Sequence, residues 1–334
     1  MLDVSLTAWV ATIAFVVLLL AVDLASSRGA RAHAVGFREA VLWSVFYVGV
    51  AVAFGVLFGT LAGWDYGAEY FAGYIVEKSL SVDNLFVFVI IMSSFAVPAE
   101  YQQRVLTFGI ILALVMRAVF IALGAALLAA FSVMFLLFGL LLLFTAVQLF
   151  RHRDEDPSID DNRVVTLARR HLPLIDRYDG SRVTTRVDGR RVLTPMFLVL
   201  LAIGTTDLLF ALDSIPAVFG VTEQAYIVFT ANAFALLGLR ALYFLVSGLL
   251  DRLVYLSTGL AVILAFIGAK LVLHYLHLQD DDIPEISTGL SLVVIATVLL
   301  VTTVASVIKS RRDPTARAHA GSLRERRTRP DPEP

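Results

Sequence analysis

The chain is 334 residues long, 58% of them hydrophobic and only 16% charged, where a soluble domain carries about 25% charge. Its 27 Lys and Arg residues against 28 Asp and Glu leave a net charge of −1, which excludes nucleic acid as the main partner. With no cysteine, these residues hold no disulfide, thiolate metal site, iron–sulfur cluster or thiol nucleophile.

Such a composition implies an all-α polytopic membrane protein, whose spans are read as apolar runs of about 20 residues. Span one covers 7–25 and stops before Arg28, Arg31 and Arg38. The residues before it lack the basic stretch of a cleaved signal, so an uncleaved span is expected. Span two covers 38–62 and ends at Trp64-Asp65-Tyr66, and span three covers 70–95 and ends at Pro98. The apolar run 104–150 amounts to about 70 Å of helix, too long for one ~30 Å crossing and right for two. Its turn is expected near 129–134. Residues 151–193 form one long polar loop, in which Asp188-Gly189 between β-branched runs predicts a small hairpin over 183–193. Residues 195–247 hold two more spans, divided around Pro216–Glu223. Span eight covers 253–276 and leaves through an acidic loop at Asp280–Asp282, and span nine covers 287–308. One transport domain is therefore expected over 1–308. The Arg-rich segment 309–334 reads as a disordered basic cytoplasmic tail.

Nine spans with a basic tail inside put the N-terminus out and the C-terminus in. The inner segments are then 26–37, 96–104, 151–193, 248–252 and 309–334. Of the 27 Lys and Arg residues, all but Lys78, Arg117, Arg240 and Lys270 fall in or beside those segments, as the positive-inside rule requires.

Two stretches share one grammar: Glu77-Lys78-Ser79-Leu80-Ser81-Val82-Asp83-Asn84 and Asp207-Leu208-Leu209-Phe210-Ala211-Leu212-Asp213-Ser214. Each is an acid, five residues, an aspartate and a small polar residue, set inside an apolar run. An ionisable group there costs about 2.5–3.5 kcal/mol on insertion scales, which makes each a functional candidate. The following spans match too, through Arg117-Ala118-Val119-Phe120 and Arg240-Ala241-Leu242-Tyr243. Spans three to five (70–150) and six to eight (194–276) thus form a repeat. A three-span unit repeated in tandem enters from opposite sides, giving an inverted repeat with its site near the midplane.

Six residues separate the acids of each motif, about 120° and ~9 Å along a straight helix. Two such groups cannot share one small ion unless the helix unwinds, for which Pro216 is a signal, or unless each helix gives one carboxylate to a shared site. The shared site is the preferred reading. The candidate metal ligands are Glu77, Asp83, Asn84, Asp207, Asp213, Ser214 and Asp23. Lys78, Arg117, Arg240 and Lys270 are the candidate intramembrane counter-ions. All of these ligands are hard oxygens, suited to Mn²⁺, Mg²⁺ or Ca²⁺ alike. His274 and His277, at the outer end of span eight, read as interface residues.

The first motif, continued by Leu85-Phe86-Val87-Phe88, resembles a signature of the TerC family of integral membrane proteins. Thr194-Pro195, the second motif with Ile215-Pro216-Ala217, and the stretch from Asn232 to Tyr243 resemble the family's second half. The likeness covers the chain to about 308, and the family is named for an association with tellurium resistance. Its bacterial members resemble manganese exporters of the LysE-like group. The resemblance implies Mn²⁺ efflux across the bacterial inner membrane, with the motif acids as ligands and protons as counter-ion. The lipid bilayer is the other partner, no resident cofactor or catalytic role is expected, and no oligomeric state is assigned. An assembly or insertion factor using the 151–193 loop, and a tellurite-resistance determinant binding an oxyanion, are the alternatives.

Overall fold

The computed structural model describes residues 4–29, 37–151, 163–175, 177–187, 190–246, 255–280 and 282–312. The basic tail beyond Arg312 and the hairpin's Asp188-Gly189 lie outside the described residues. The helices are α1 (Leu6–Gly29), α2 (Phe37–Ala62), α3 (Trp64–Ser94), α4 (Ala99–Ala130), α5 (Val133–Arg151), α6 (Arg163–His171), α7 (Pro195–Phe219), α8 (Ala225–Leu236), α9 (Leu239–Val246), α10 (Leu256–His277) and α11 (Thr288–Arg312). Between α6 and α7 run the strands β1 (Thr184–Val187) and β2 (Arg190–Leu193).

Among the described residues seven helices are long and apolar enough to cross a bilayer, and the bent pair α8–α9 makes an eighth. Helix α3 has 31 residues, but its charged groups Asp65, Glu69, Glu77, Lys78 and Asp83 leave it outside that set. Every span read from the sequence therefore has a helical counterpart. The break between α4 and α5 falls at Phe131 and Ser132, inside the window read as a turn. The strands pair antiparallel from Thr184↔Leu193 to Val187↔Arg190, as the β-branched runs predict.

Burial sorts the helices into two shells. Helices α1, α2 and α11 turn Val10, Leu42, Val45, Leu300 and Val301 outward, each more than half exposed. Such a surface would be a liability in water and is what lipid requires of a helical span. Helix α8 is buried from Tyr226 to Leu236 except at Phe229, and α10 buries one face from Leu256 to Leu271. Where α5 crosses α10, Gly139 and Gly268 meet backbone to backbone: a Cβ on either would lie 2.8 Å from the other's carbonyl oxygen.

The discontinuity does not lie where proline pointed. Helix α7 continues through Pro216 to Phe219, and α3 is unbroken through the whole first motif. The break comes instead in span seven, where α8 and α9 meet at 43° across Leu237-Gly238. Gly238 has φ +80, and a Cβ there would come within 2.8 Å of the Tyr47 Cβ, so this corner needs glycine. The loop also holds an unforeseen element, α6, which buries Val165 and Ala168 against the start of α7.

Candidate cation site

Helices α3 and α7 run in opposite directions past one another. A Cβ on Gly73 would touch Val218 at 3.1 Å, whereas Glu77, further along α3, meets the same arginine as Asp207, further back along α7. Helix α4 supplies that arginine, Arg117, a fully buried side chain only 1% exposed. Its guanidinium forms an ion pair with Glu77 Oε1 and another, at 3.4 Å, with Asp207 Oδ1. Arg117 Nη1 also donates to Asn232 Oδ1 at 3.0 Å, and Asn232 Nδ2 donates to the Val228 carbonyl at 3.1 Å. Ser81, one turn beyond Glu77, donates to Glu77 Oε1 at 3.4 Å.

The trio contains two acids and one base, all buried, so with both acids ionised one negative charge is uncompensated. Glu77 Oε2, Asp207 Oδ2 and Arg117 Nε have no hydrogen-bond partner among the described residues. Each such buried atom costs about 1–3 kcal/mol, and native proteins keep them mainly where water, an ion or function completes the set. Two free carboxylate oxygens beside an excess negative charge are chemically a cation or proton acceptor.

The second acid of each motif stands apart from Arg117: six residues put Asp83 about 9 Å along α3 from Glu77 and on another face, and Asp213 likewise along α7 from Asp207. Asp83 instead accepts a hydrogen bond from Ser257 at the start of α10, and Asp213 accepts one from Thr145 of α5 at 2.9 Å. Each motif aspartate is thus held by a hydroxyl on the third helix of the other half. Among the described residues no group of three or more His, Asp or Glu side chains could hold a metal ion. Of the four motif acids, Arg117 brings Glu77 and Asp207 together; Asp83 and Asp213 lie outside that group. Asn84 and Ser214 are buried beside their aspartates, and Ser214 Oγ has no partner among the described residues.

The remaining candidates fall elsewhere. Asp23 of α1 pairs with Arg240 of α9 at 2.9 Å and accepts from Tyr47 of α2 at 3.1 Å, a separate buried group beside the Gly238 corner. The Lys78 ammonium donates to the Ala235 carbonyl at 3.0 Å and pairs with no acid among the described residues. It thereby caps a carbonyl that the break after Leu236 leaves without its helical partner. Lys270 faces a polar cavity at the far end of α10, with Glu69, Glu223, His274 and Glu285. Hydrogen bonding from His274, together with the nearby positive charge of Lys270, holds the loop carboxyl Glu223 below its ordinary range. Sequence reasoning missed Asn232, Thr145 and Ser257 because a lone small polar residue in an apolar helix has no spacing to announce it.

With this geometry in place, comparison with known proteins decides the family. The sequence profile described as Integral membrane protein TerC family matches residues 62–314, most of the chain. The chain belongs to the TerC family. An uncharacterized membrane protein of Mycobacterium tuberculosis is 47% identical over 319 residues, covering 91% of this chain and 79% of that protein. The chloroplastic thylakoid membrane protein TERC of Arabidopsis thaliana is 45% identical over 249 residues, 75% of this chain and 63% of its own length. A relative from Escherichia coli, named as a membrane-bound redox modulator Alx, is 38% identical over 272 residues, 79% of this chain and 85% of that one. No solved structure matches.

Proposed function

We infer that this TerC-family protein is a secondary transporter that exports a divalent metal cation, Mn²⁺ by family resemblance, in exchange for protons across the bacterial inner membrane. The observation that carries the reading is the buried trio, in which Glu77 and Asp207 share Arg117 and each keeps one oxygen unpartnered. Hard carboxylate oxygens suit Mn²⁺ chemistry. A cation entering between the two acids takes over the neutralising role of Arg117, and protonation of the same acids favours its release. Asp83 and Asp213, each about 9 Å along its helix from the trio's acid, offer way stations along the route. The distribution of Lys and Arg supports nine crossings with the N-terminus out and the C-terminus in. The opposed course of α3 and α7 supports the inverted repeat that alternating access uses.

The test is transport into liposomes containing the purified protein, comparing Mn²⁺, Mg²⁺ and Ca²⁺ with and without a pH gradient. Mn²⁺ flux that rises with the gradient is expected, and Glu77→Gln or Asp207→Asn should reduce it at least tenfold while the protein stays folded. Undiminished flux in both variants would sink the assignment of the trio.

A further inference from the structure

A second polar site lies at the end of α10 away from the inner segments. The cavity, about 320 Å³, is enclosed by the end of α7, the loop carrying Thr222 and Glu223, the start of α11, Glu69 of α3, and Lys270 and His274 of α10. His274 bridges two carboxylates, with Nε2 3.0 Å from Glu223 Oε1 and Nδ1 2.8 Å from Glu285 Oε1. Thr222 donates its hydroxyl to Glu69. Lys270 is 9% exposed, lines the cavity, and makes no hydrogen bond or ion pair with any of these groups. Its ammonium nonetheless lies in the field of Glu285, Glu69 and Glu223.

We propose that this cavity is a second cation site, which takes a divalent cation with its water shell intact and keeps Lys270 as resident counter-ion. Three glutamates against one lysine and one histidine leave negative charge in excess, so the ligand is a cation. A buried ammonium with no direct partner among the described residues calls for solvation, which makes the cavity a watered one. Room decides between bare and hydrated ions. At about 30 Å³ per water, a hexahydrate needs on the order of 200 Å³, which the cavity holds. The described side chains also offer no preformed set of three metal-ligating groups, so direct coordination is not what this geometry provides. Mg²⁺ gives up its water reluctantly and is held through few protein ligands, the chemistry that such a cavity fits. Access is open, because the Glu223 and Glu285 side chains are 47% and 50% exposed. Glu69 precedes Glu77 by eight residues on α3, about 12 Å of rise, so the cavity stands before the buried trio as an antechamber.

The proposal concerns residues outside the trio and does not require the trio to be the transport site. Its test uses cobalt(III) hexaammine, a cation whose ligands do not exchange and which therefore binds only outer-sphere sites. Calorimetric titration of the purified full chain should show saturable binding, competed by Mg²⁺ and Mn²⁺. The Glu223→Gln, Glu285→Gln double variant should weaken it at least tenfold. Lys270→Gln should tighten it at least threefold, a gain that misfolding cannot produce. Glu77→Gln should leave it unchanged even if Mn²⁺ flux is lost, which separates the two sites. No saturable binding up to millimolar hexaammine would overturn the proposal, as would an unchanged affinity in Lys270→Gln.

Discussion

Replacing Arg117 by Gln separates a cation site from structural glue. In the folded protein Arg117 pairs with both Glu77 and Asp207 and donates to Asn232 at 3.0 Å, and its side chain is 1% exposed. Removing one partner of a buried ion pair costs about 3–5 kcal/mol, because the charge left behind has no water to turn to. Here two carboxylates are left behind, so the loss should reach the top of that range. The same vacancy is a better cation site than the native one, since both acids now face an empty position. A ligand at a hundred times its Kd stabilises by about 2.7 kcal/mol, more than half of the loss. The expected result is a detergent-solubilised Arg117→Gln protein that melts well below the parent and is restored by millimolar Mn²⁺ more strongly than the parent is. Arg117→Lys should restore only part of the stability, because an ammonium lacks the planar fork that reaches two acids at once. A melting temperature in Arg117→Gln that does not respond to Mn²⁺ would refute the reasoning and leave the trio as a helix-to-helix tie.

Asp83→Asn and Asp213→Asn should each fold normally, because the amide oxygen still accepts from Ser257 or Thr145, and stability should change by less than about 1 kcal/mol. Both should raise cellular manganese under manganese load, measured by elemental analysis; normal efflux in both would place the route away from these residues. Gly238→Ala forces a side chain into φ +80 against Tyr47 and should cost about 1–3 kcal/mol, read as a fall in melting temperature. An unchanged melting temperature there would show that the α8–α9 corner relaxes without the left-handed residue.

Much of the fold was legible because lipid permits few solutions. An apolar run must satisfy its own backbone, so helix positions follow from composition, and the α4–α5 turn falls inside a window with no strong turn residue. The corner at Gly238 was not legible. Pro216 is the louder signal, yet it sits in the last turn of α7, where the chain is about to leave the helix anyway. For the site, the motifs identified the acids, and the six-residue spacing showed that one straight helix could not unite them. The spacing alone does not say which acids meet. That depends on how α3 and α7 pack against α4, α5 and α10, which brings the first acid of each motif to Arg117 and turns the second acids to Ser257 and Thr145. The contact that Lys78 makes was not legible for a different reason. Charge alone pairs it with an acid, whereas the break in α8 creates a carbonyl whose need for a donor outranks that attraction.

The contact of Gly139 with Gly268 has a consequence for motion. Helices joined by interlocking side chains must lift ridge out of groove before one turns on the other, and the lost packing sets a barrier. At Gly139 and Gly268 the backbones touch while Val272 and Leu143 close over the contact, so α5 and α10 are locked both backbone to backbone and ridge into groove. A shift of either helix must therefore carry the other with it, which ties the third span of one half to the third span of the other. A single methyl group on either residue would push that pair apart without touching one charged side chain.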